Sequence, residues 1–314
     1  MKKIGILFGQ ENTFPRALVD RINEANEKEV VAEFVTIDKV IQARPTEYAV
    51  IIDRISQDIP FYRTYLKNAA LAGAVVINNP FWWSADDKFF NNALAEHVGV
   101  HVPKTALLPS KEHPENTDER SMRNLAYPLD WEAIFDYLGF PAFLKPFAGG
   151  GWRHVYRVKD REEFFRVYDQ TAQLVMMLQE EIVFTEYYRC YCIDRQHVRI
   201  MEYDPRQPFH LQYSKAPKPV EPALLGKMEE AVLRLNRALG YDFNTVELAI
   251  RDGVPYAIDF CNPAPDADVA SVGEENFKWV VETVAGMAIR KAKVHKAGQI
   301  HIEWGEFVAE TSTG

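Results

Sequence analysis

Three cysteines in 314 residues, Cys190, Cys192 and Cys261, are too few and wrongly spaced for a disulfide framework or a four-ligand zinc site. On a strand, Cys190 and Cys192 are expected to point to opposite faces, with no bridge between them. All three are read as reduced thiols of a cytoplasmic protein. Basic residues are also scarce. The 36 Lys and Arg against 45 Asp and Glu leave a net charge of −9, which argues against a general nucleic-acid or membrane-surface binder. Cationic chemistry must therefore sit in a local pocket. No window reaches the apolar length of a membrane span. The opening MKKIGILFGQ is interrupted at Gly9-Gln10-Glu11, too early for a signal peptide. The chain has no internal repeat, no low-complexity tract and no Gly-x-x-x-x-Gly-Lys-Ser/Thr phosphate loop. No Ser-His-Asp or Cys-His arrangement is evident either, which leaves positioning and charge as the means of any catalysis.

What is present is the ordinary makeup of a globular protein, 47% hydrophobic and 26% charged, with length for two or three subdomains. KKIGILFG, VVAEFVTID, YAVIIDRI and AGAVVINNP read as strands, with helical spacing in FPRALVDRINEA and FYRTYLKNAALA. This alternation predicts an open α/β layer with a largely parallel sheet over 1–100. DKFFNNALAEHVGVHVP is a helix stopped by Gly99, and the charged, proline-punctuated stretch 109–130 predicts a long exposed loop. Helix, Gly139 turn and strand follow in WEAIFDYLGFPAFLKP, then an amphipathic helix in REEFFRVYDQTAQ and a strand in LVMMLQEEIV. EYYRCYCIDRQHVRIMEYDP alternates as a hairpin turning near residues 194–196. A helix ending at Gly240 leads to a second hairpin, TVELAIRDGVPYAIDF, whose turn is Asp252-Gly253. The boundaries expected are 1–100, 101–182 and 183–314.

Two constellations carry chemistry. In FLKPFAGGGWRHVYRV (143–158), an apolar strand delivers Lys145 into Pro146 and then Gly149, Gly150 and Gly151. A glycine triplet lets backbone amides approach a ligand closely, and the lysine adds a point charge, so the pair reads as a phosphate grip. In the second hairpin, Glu247 and Asp259 can lie on neighbouring strands and meet, with Asn262 three residues on. Two carboxylates and an amide oxygen suit Mg²⁺, which commonly shares its coordination with water and nucleotide phosphates. Both acids sit inside apolar strands, where an uncompensated carboxylate is costly. Lys88, near a helix start, says nothing by itself.

From about Ile77 to Gly286 the chain resembles the ATP-grasp superfamily, the carboxylate–amine ligases related to D-alanine–D-alanine ligase, glutathione synthetase and ribosomal-protein glutamate ligase. The lead-in INNP…DDKFFNNALAEHVGVHVPKT, the segment FPAFLKPFAGGGWRHVYRV, the hinge MLQEEIVFTEYYRCYCI and the hairpin VELAIRDGVPYAIDFCNPAP carry the likeness. It implies a fold in which an N-terminal pre-ATP-grasp α/β domain (1–100) precedes two α+β subdomains that clasp ATP. One of these, 101–182, holds the glycine lid; the other, 183–314, holds the magnesium hairpin. The resemblance puts Lys88 and Lys145 on the α and β phosphates and makes Gly149, Gly150 and Gly151 a flap. Gln179, Glu180 and Ile182 line the adenine pocket, Glu186 meets the ribose, and Glu247, Asp259 and Asn262 hold Mg²⁺. Arg189 faces the reacting phosphate, with Arg206 and Lys215 as further candidates.

One departure stands out. The family's Glu-x-Asn is here Asp259-Phe-Cys-Asn262, so either a bulge restores the asparagine or it leaves the site. The activity implied is ATP-dependent joining of a small-molecule or peptide carboxylate to an amine through an acyl phosphate, releasing ADP and phosphate. The rival readings are an ATP-binding protein that no longer ligates and a small-molecule kinase. Partners expected are those substrates and a second copy of the chain in a homodimer, with no nucleic acid and no membrane. The segments FGQENTFP and DRISQDIPFYR are expected to serve the substrate, Arg54 and Arg63 binding a carboxylate. The pair Arg153-His154 is read as surface, and Trp82-Trp83 as packing at a seam.

Overall fold

The computed structural model describes residues 1–81, 87–208 and 211–300; Trp82 and Trp83 lie outside these. The chain divides into two compact units, one formed by Met1–Trp83 with Thr185–Gly314 and the other by Ser84–Phe184. Helix α3 (Lys88–His97) thus belongs to the second unit, and the N-terminal layer shares a unit with everything from Thr185 onward.

The N-terminal layer of the first unit is a parallel sheet in the order β2-β1-β3-β4, from β1 (Lys2–Leu7), β2 (Val30–Phe34), β3 (Tyr48–Asp53) and β4 (Val75–Ile77). β3 is buried at all six positions, as a strand covered on both faces must be, which explains its unbroken apolar run. Helices α1 (Phe14–Glu24) and α2 (Pro60–Leu71) are the crossovers, each opened by proline in its first turn, where a missing N–H costs nothing. The second sheet of this unit is antiparallel, in the order β10-β9-β11-β12. Its strands are β9 (Glu186–Ile193), β10 (His197–Glu202), β11 (Phe243–Arg251) and β12 (Val254–Asp259). The β11–β12 turn has φ of 54° at Asp252 and 70° at Gly253, the left-handed pair that an Asp-Gly hairpin supplies. α6 (Pro222–Leu239) packs on this sheet and ends on Gly240 in the left-handed conformation.

Cys190 and Cys192 differ from expectation. Side chains two residues apart on a strand share a face, so both thiols lie on the same side of β9, opposite Tyr191. Both are buried and free; burial pushes the Cys192 thiol up to about 12 and Cys190 higher still, leaving both unreactive at neutral pH. After the short α7 (Val269–Val272), the long helix α8 (Glu274–Val294), which no local signal had marked, packs on α1, β1 and β3. Among the described residues no helix is long and apolar enough to cross a membrane.

The second unit is built on an antiparallel sheet in the order β5-β8-β6-β7, from β5 (Thr105–Leu108), β6 (Ala142–Pro146), β7 (Tyr156–Val158) and β8 (Met176–Glu180). One face is closed by α4 (Trp131–Leu138) and α5 (Arg161–Tyr168), whose Phe135, Phe164 and Tyr168 pack with Leu144 and Leu178. Residues 109–130 form the expected exposed loop, with one short 3-10 turn at Glu119–Met122.

Asparagines tie the first unit together. Asn78 accepts from the Asp242 and Phe243 N–H groups at 2.8 and 2.9 Å and donates to the Phe243 and Pro263 carbonyls at 2.8 and 3.2 Å. One side chain thus does for the start of β11 what a neighbouring strand would do. Asn244, fully buried, donates to Asn236 and to the Phe260 carbonyl and accepts from the Asn262 N–H. Replacing Asn78 by Ala strands these backbone groups, and unpaired buried groups cost about 1–3 kcal/mol each. We expect Asn78→Ala to lower stability by about 2–4 kcal/mol, read as a shifted denaturant midpoint of the first unit.

Candidate functional site

The first unit places its chemistry in one row across the antiparallel sheet. Register sets Met201 opposite Arg189, Arg189 opposite Glu247, and Glu247 opposite Asp259. Residues directly paired across an antiparallel ladder point to the same side, so Arg189, Glu247 and Asp259 stand side by side. A bulge makes this possible. Leu248 pairs with Ala257 and Glu247 with Asp259, so Ile258 is the extra residue that turns Asp259 toward Glu247. The bulge precedes Asp259; it does not lie between Asp259 and Asn262. Asn262 stays nearby by another route, its amide donating to the Thr245 carbonyl at 3.2 Å, two residues from Glu247.

Facing carboxylates repel, and neighbouring side chains offset this. The Arg189 Nε lies 3.7 Å from Glu247 and donates to Thr245 Oγ1 at 3.4 Å. The Tyr187 hydroxyl donates to Glu247 Oε2 at 2.7 Å. Burial pushes the Tyr187 phenol well up, and the Glu247 charge adds to this, so Tyr187 is a fixed donor. Arg189 is one cation beside these two carboxylates in a half-buried place. Among the described residues no group of three or more His, Cys, Asp or Glu is arranged to hold a metal unaided. The donor set is therefore two hard carboxylates with Asn262 alongside, which fits a Mg²⁺ completed by phosphate and water rather than a closed protein cage.

The other first-unit candidates are placed differently. Glu186 is exposed and accepts a short hydrogen bond from the Tyr188 hydroxyl. Arg206 is exposed and held by Asp204 through contacts of 2.8 and 3.1 Å. Lys215 is exposed on the loop that follows. Arg54 is not open to solvent: its side chain is 1% exposed and lies 5.0 Å from the ring centres of both Phe14 and Phe243. It grips the Glu11 carboxylate in a two-pronged contact and donates to the Pro265 carbonyl at 2.6 Å. Arg63 is half-buried on α2.

In the second unit, Phe143, Lys145, Met177 and Gln179 share one face of the sheet, because Phe143 pairs with Gln179 and Lys145 with Met177. The opposite face is the aromatic core. The Lys88 N–H donates to the Phe147 carbonyl at 2.8 Å, which brings the start of α3 beside the exit from Lys145. Gly149 and Gly151 have φ of 89° and 68°, a region costly for other residues; with Gly150 they form an exposed loop running into Trp152. Arg153 and His154 are exposed, as expected. Gln179 is buried, its amide donating to Thr105 Oγ1 at 2.9 Å and to Asn92 Oδ1 at 3.4 Å. Glu180 is half-buried, accepts from the Lys104 N–H at 3.2 Å, and is followed by buried Ile182.

Sequence reasoning missed Tyr187, Asn244 and the Glu11–Arg54 pair. The signal for Asn244 was available, since an asparagine inside the apolar strand DFNTVELAI must have buried partners. For Arg54 we expect Arg54→Ala to cost about 3–5 kcal/mol, the usual loss when one partner of a buried ion pair is removed. Arg54→Lys should recover only part of it in a denaturation curve, because an ammonium cannot make the two-pronged contact.

No family model matches the chain, and no curated protein does either. Solved structures do. The chain is similar to D-alanine–D-alanine ligase from Bacillus anthracis complexed with ATP, at 16% identity and a TM-score of 0.62 over 93% of this chain and 98% of that one. It is similar to a RimK domain ATP-grasp protein from Sphaerobacter thermophilus, at 15% identity and a TM-score of 0.63 over 91% and 99%. The ATP-grasp ligase PsnB complexed with a minimal precursor, Mg and ADP matches at 14% identity and a TM-score of 0.60 over 92% and 98%. The chain has the ATP-grasp fold.

Proposed function

We propose that this chain is an ATP-dependent ligase that joins a carboxylate to an amine through an acyl phosphate. The observation that carries the reading is the in-register row of Arg189, Glu247 and Asp259 on a chain with this fold. Neighbours of the same fold hold ATP, or Mg with ADP and a minimal precursor, which supports ATP and Mg²⁺ as what such residues serve.

In this reading a carboxylate oxygen of the substrate attacks the γ-phosphorus of ATP, the bond to the bridging oxygen breaks, and ADP leaves with the electron pair. The amine then adds to the acyl carbon, gives up a proton and expels phosphate, forming the amide. Mg²⁺, when bound, neutralises charge building on the phosphates. Glu247 and Asp259 would hold it, with the Asn262 oxygen as a further donor. The Tyr187 hydroxyl keeps Glu247 oriented. Arg189 places positive charge where the acyl phosphate forms, and Arg206 and Lys215 are further candidates for the same role. Lys88 and Lys145 take the α and β phosphates, the loop at Gly149, Gly150 and Gly151 covers them, and Glu186 meets the ribose. Glu180 and Ile182 line the adenine pocket. Gln179 contributes its backbone there, since its amide is already used by Asn92 and Thr105. A closed loop also keeps water from the acyl phosphate.

Thermal stability with ATP, with and without Mg²⁺, tests this. A ligand that binds only the folded state adds about 2.7 kcal/mol at a hundredfold excess over its dissociation constant. We expect a magnesium-dependent rise that Lys145→Ala removes and that Glu247→Gln makes insensitive to magnesium, both variants keeping the native circular dichroism. No rise in the wild type would remove the nucleotide reading. Limited proteolysis gives an independent check: cleavage between Gly149 and Arg153 should slow when Mg-ATP is added, and an unchanged pattern would count against a closing loop.

A further inference from the structure

The phenol of Tyr187 makes the two oxygens of the Glu247 carboxylate unlike. Its hydroxyl donates to Oε2 at 2.7 Å. Oε1 lies 3.7 Å from the Arg189 Nε, outside hydrogen-bond reach of that nitrogen. Strand register is the cause. Tyr187 pairs with Ala249 and Arg189 with Glu247, so Tyr187 is the diagonal neighbour of Glu247 on the same face of the sheet. A Tyr-x-Arg on β9 against a Glu-x-Ala on β11 is all the sequence this arrangement requires.

The hydroxyl has little room to leave. Tyr187 is 6% exposed, and its ring centre lies 6.1 Å from that of Tyr203. The Tyr203 N–H donates to the Tyr187 carbonyl at 3.0 Å, which fixes the backbone behind the ring. Tyr203 is itself held, its hydroxyl donating to the Gln212 side chain at 2.7 Å and its ring meeting that of Tyr213 edge to face at 5.0 Å. Swinging the Tyr187 hydroxyl off Glu247 would break this packing and strand a buried O–H, which is costly.

A carboxylate held in this way does not suit every cation equally. Mg²⁺ is small, keeps strict octahedral geometry and takes single oxygens, whereas Ca²⁺ gathers more oxygens and often grips both oxygens of one carboxylate. We propose that Tyr187 selects the metal: by keeping Glu247 Oε2 in a hydrogen bond it confines Glu247 to a single-oxygen ligand, which suits Mg²⁺ and denies Ca²⁺ the two-oxygen grip. This rests on the ligase reading and adds to it the residue that decides which cation the hairpin accepts. A tyrosine that served the fold alone, or merely aimed the carboxylate, would on removal weaken both cations by the same factor.

The test uses the whole chain and titrates preformed Mg-ADP and Ca-ADP in a calorimeter, each with the metal in excess so that the nucleotide's own preference drops out. We expect the wild type to favour Mg-ADP and Tyr187→Phe to narrow the ratio of the two dissociation constants by about tenfold, the scale of change seen when a partner of a metal ligand is removed. Both constants come from one protein, so a general loss of stability leaves the ratio untouched. Tyr203→Phe, which deletes the adjacent hydroxyl held by Gln212, should keep the wild-type ratio. A wild type that binds Ca-ADP as tightly as Mg-ADP would overturn the proposal without any variant. So would an unchanged ratio in Tyr187→Phe, or an equal narrowing in Tyr203→Phe. A wild type that binds neither nucleotide complex would instead overturn the ligase reading beneath it.

Discussion

The antiparallel pairing of β11 with β9 on one side and β12 on the other is the constraint on which the first unit's chemistry depends. Side-chain direction in a strand has a period of two, so a slip of one residue in β11 would send Glu247 to the α6 face and bring Leu248 into the row. Three features prevent that slip. Asn78 pins the start of β11 through both its N–H and C=O groups, Asn244 ties it to α6 and to the exit of β12, and the bulge at Ile258 sets the phase of Asp259. These are polar and local, and each has partners only when the register is right. The apolar burial around them supplies stability without that selectivity.

The second unit solves a similar problem with less. Its sheet buries one face under aromatic rings and leaves the other for Lys145, Met177 and Gln179. The polar members of that face are partly consumed in holding it together, as Gln179 shows by spanning Asn92 and Thr105. What remains for a ligand is the lysine, the backbone of β8 and the glycine loop. Charge is thus concentrated at few points in a chain that is acidic overall.

Much of this was legible beforehand, wherever the cause is local. The parallel layer followed from strand and helix periods, the second hairpin from Asp252-Gly253, and the end of α6 from Gly240. That Glu247 and Asp259 lie on neighbouring strands was legible from the Asp-Gly turn, but the turn's own register would set Ile258 opposite Glu247, and the bulge that brings Asp259 to face it was not. What could not be read depends on distant partners. Asn78 finds its donors 164 and 165 residues away, and Gln179 meets Asn92 at a separation of 87, spacings with no period to detect. Arg54 illustrates the cost: an arginine after an apolar strand reads as a ligand for substrate, whereas most of its donors are spent on Glu11 and Pro265. The shared unit of the N-terminal layer and the residues from Thr185 onward has the same origin, since it rests on such long-range bonds.

The glycine loop is not crowded. A methyl group added at Gly149, Gly150 or Gly151 would meet no atom within 4 Å. Space therefore does not demand glycine here, and backbone conformation demands it only at Gly149 and Gly151, whose φ values are positive. Gly150 is the tolerant member of the triplet, a natural attachment point for a fluorescent or spin label. Cys190 and Cys192 are sealed inside the sheet, so a thiol introduced there would compete for the label with half-buried Cys261 alone.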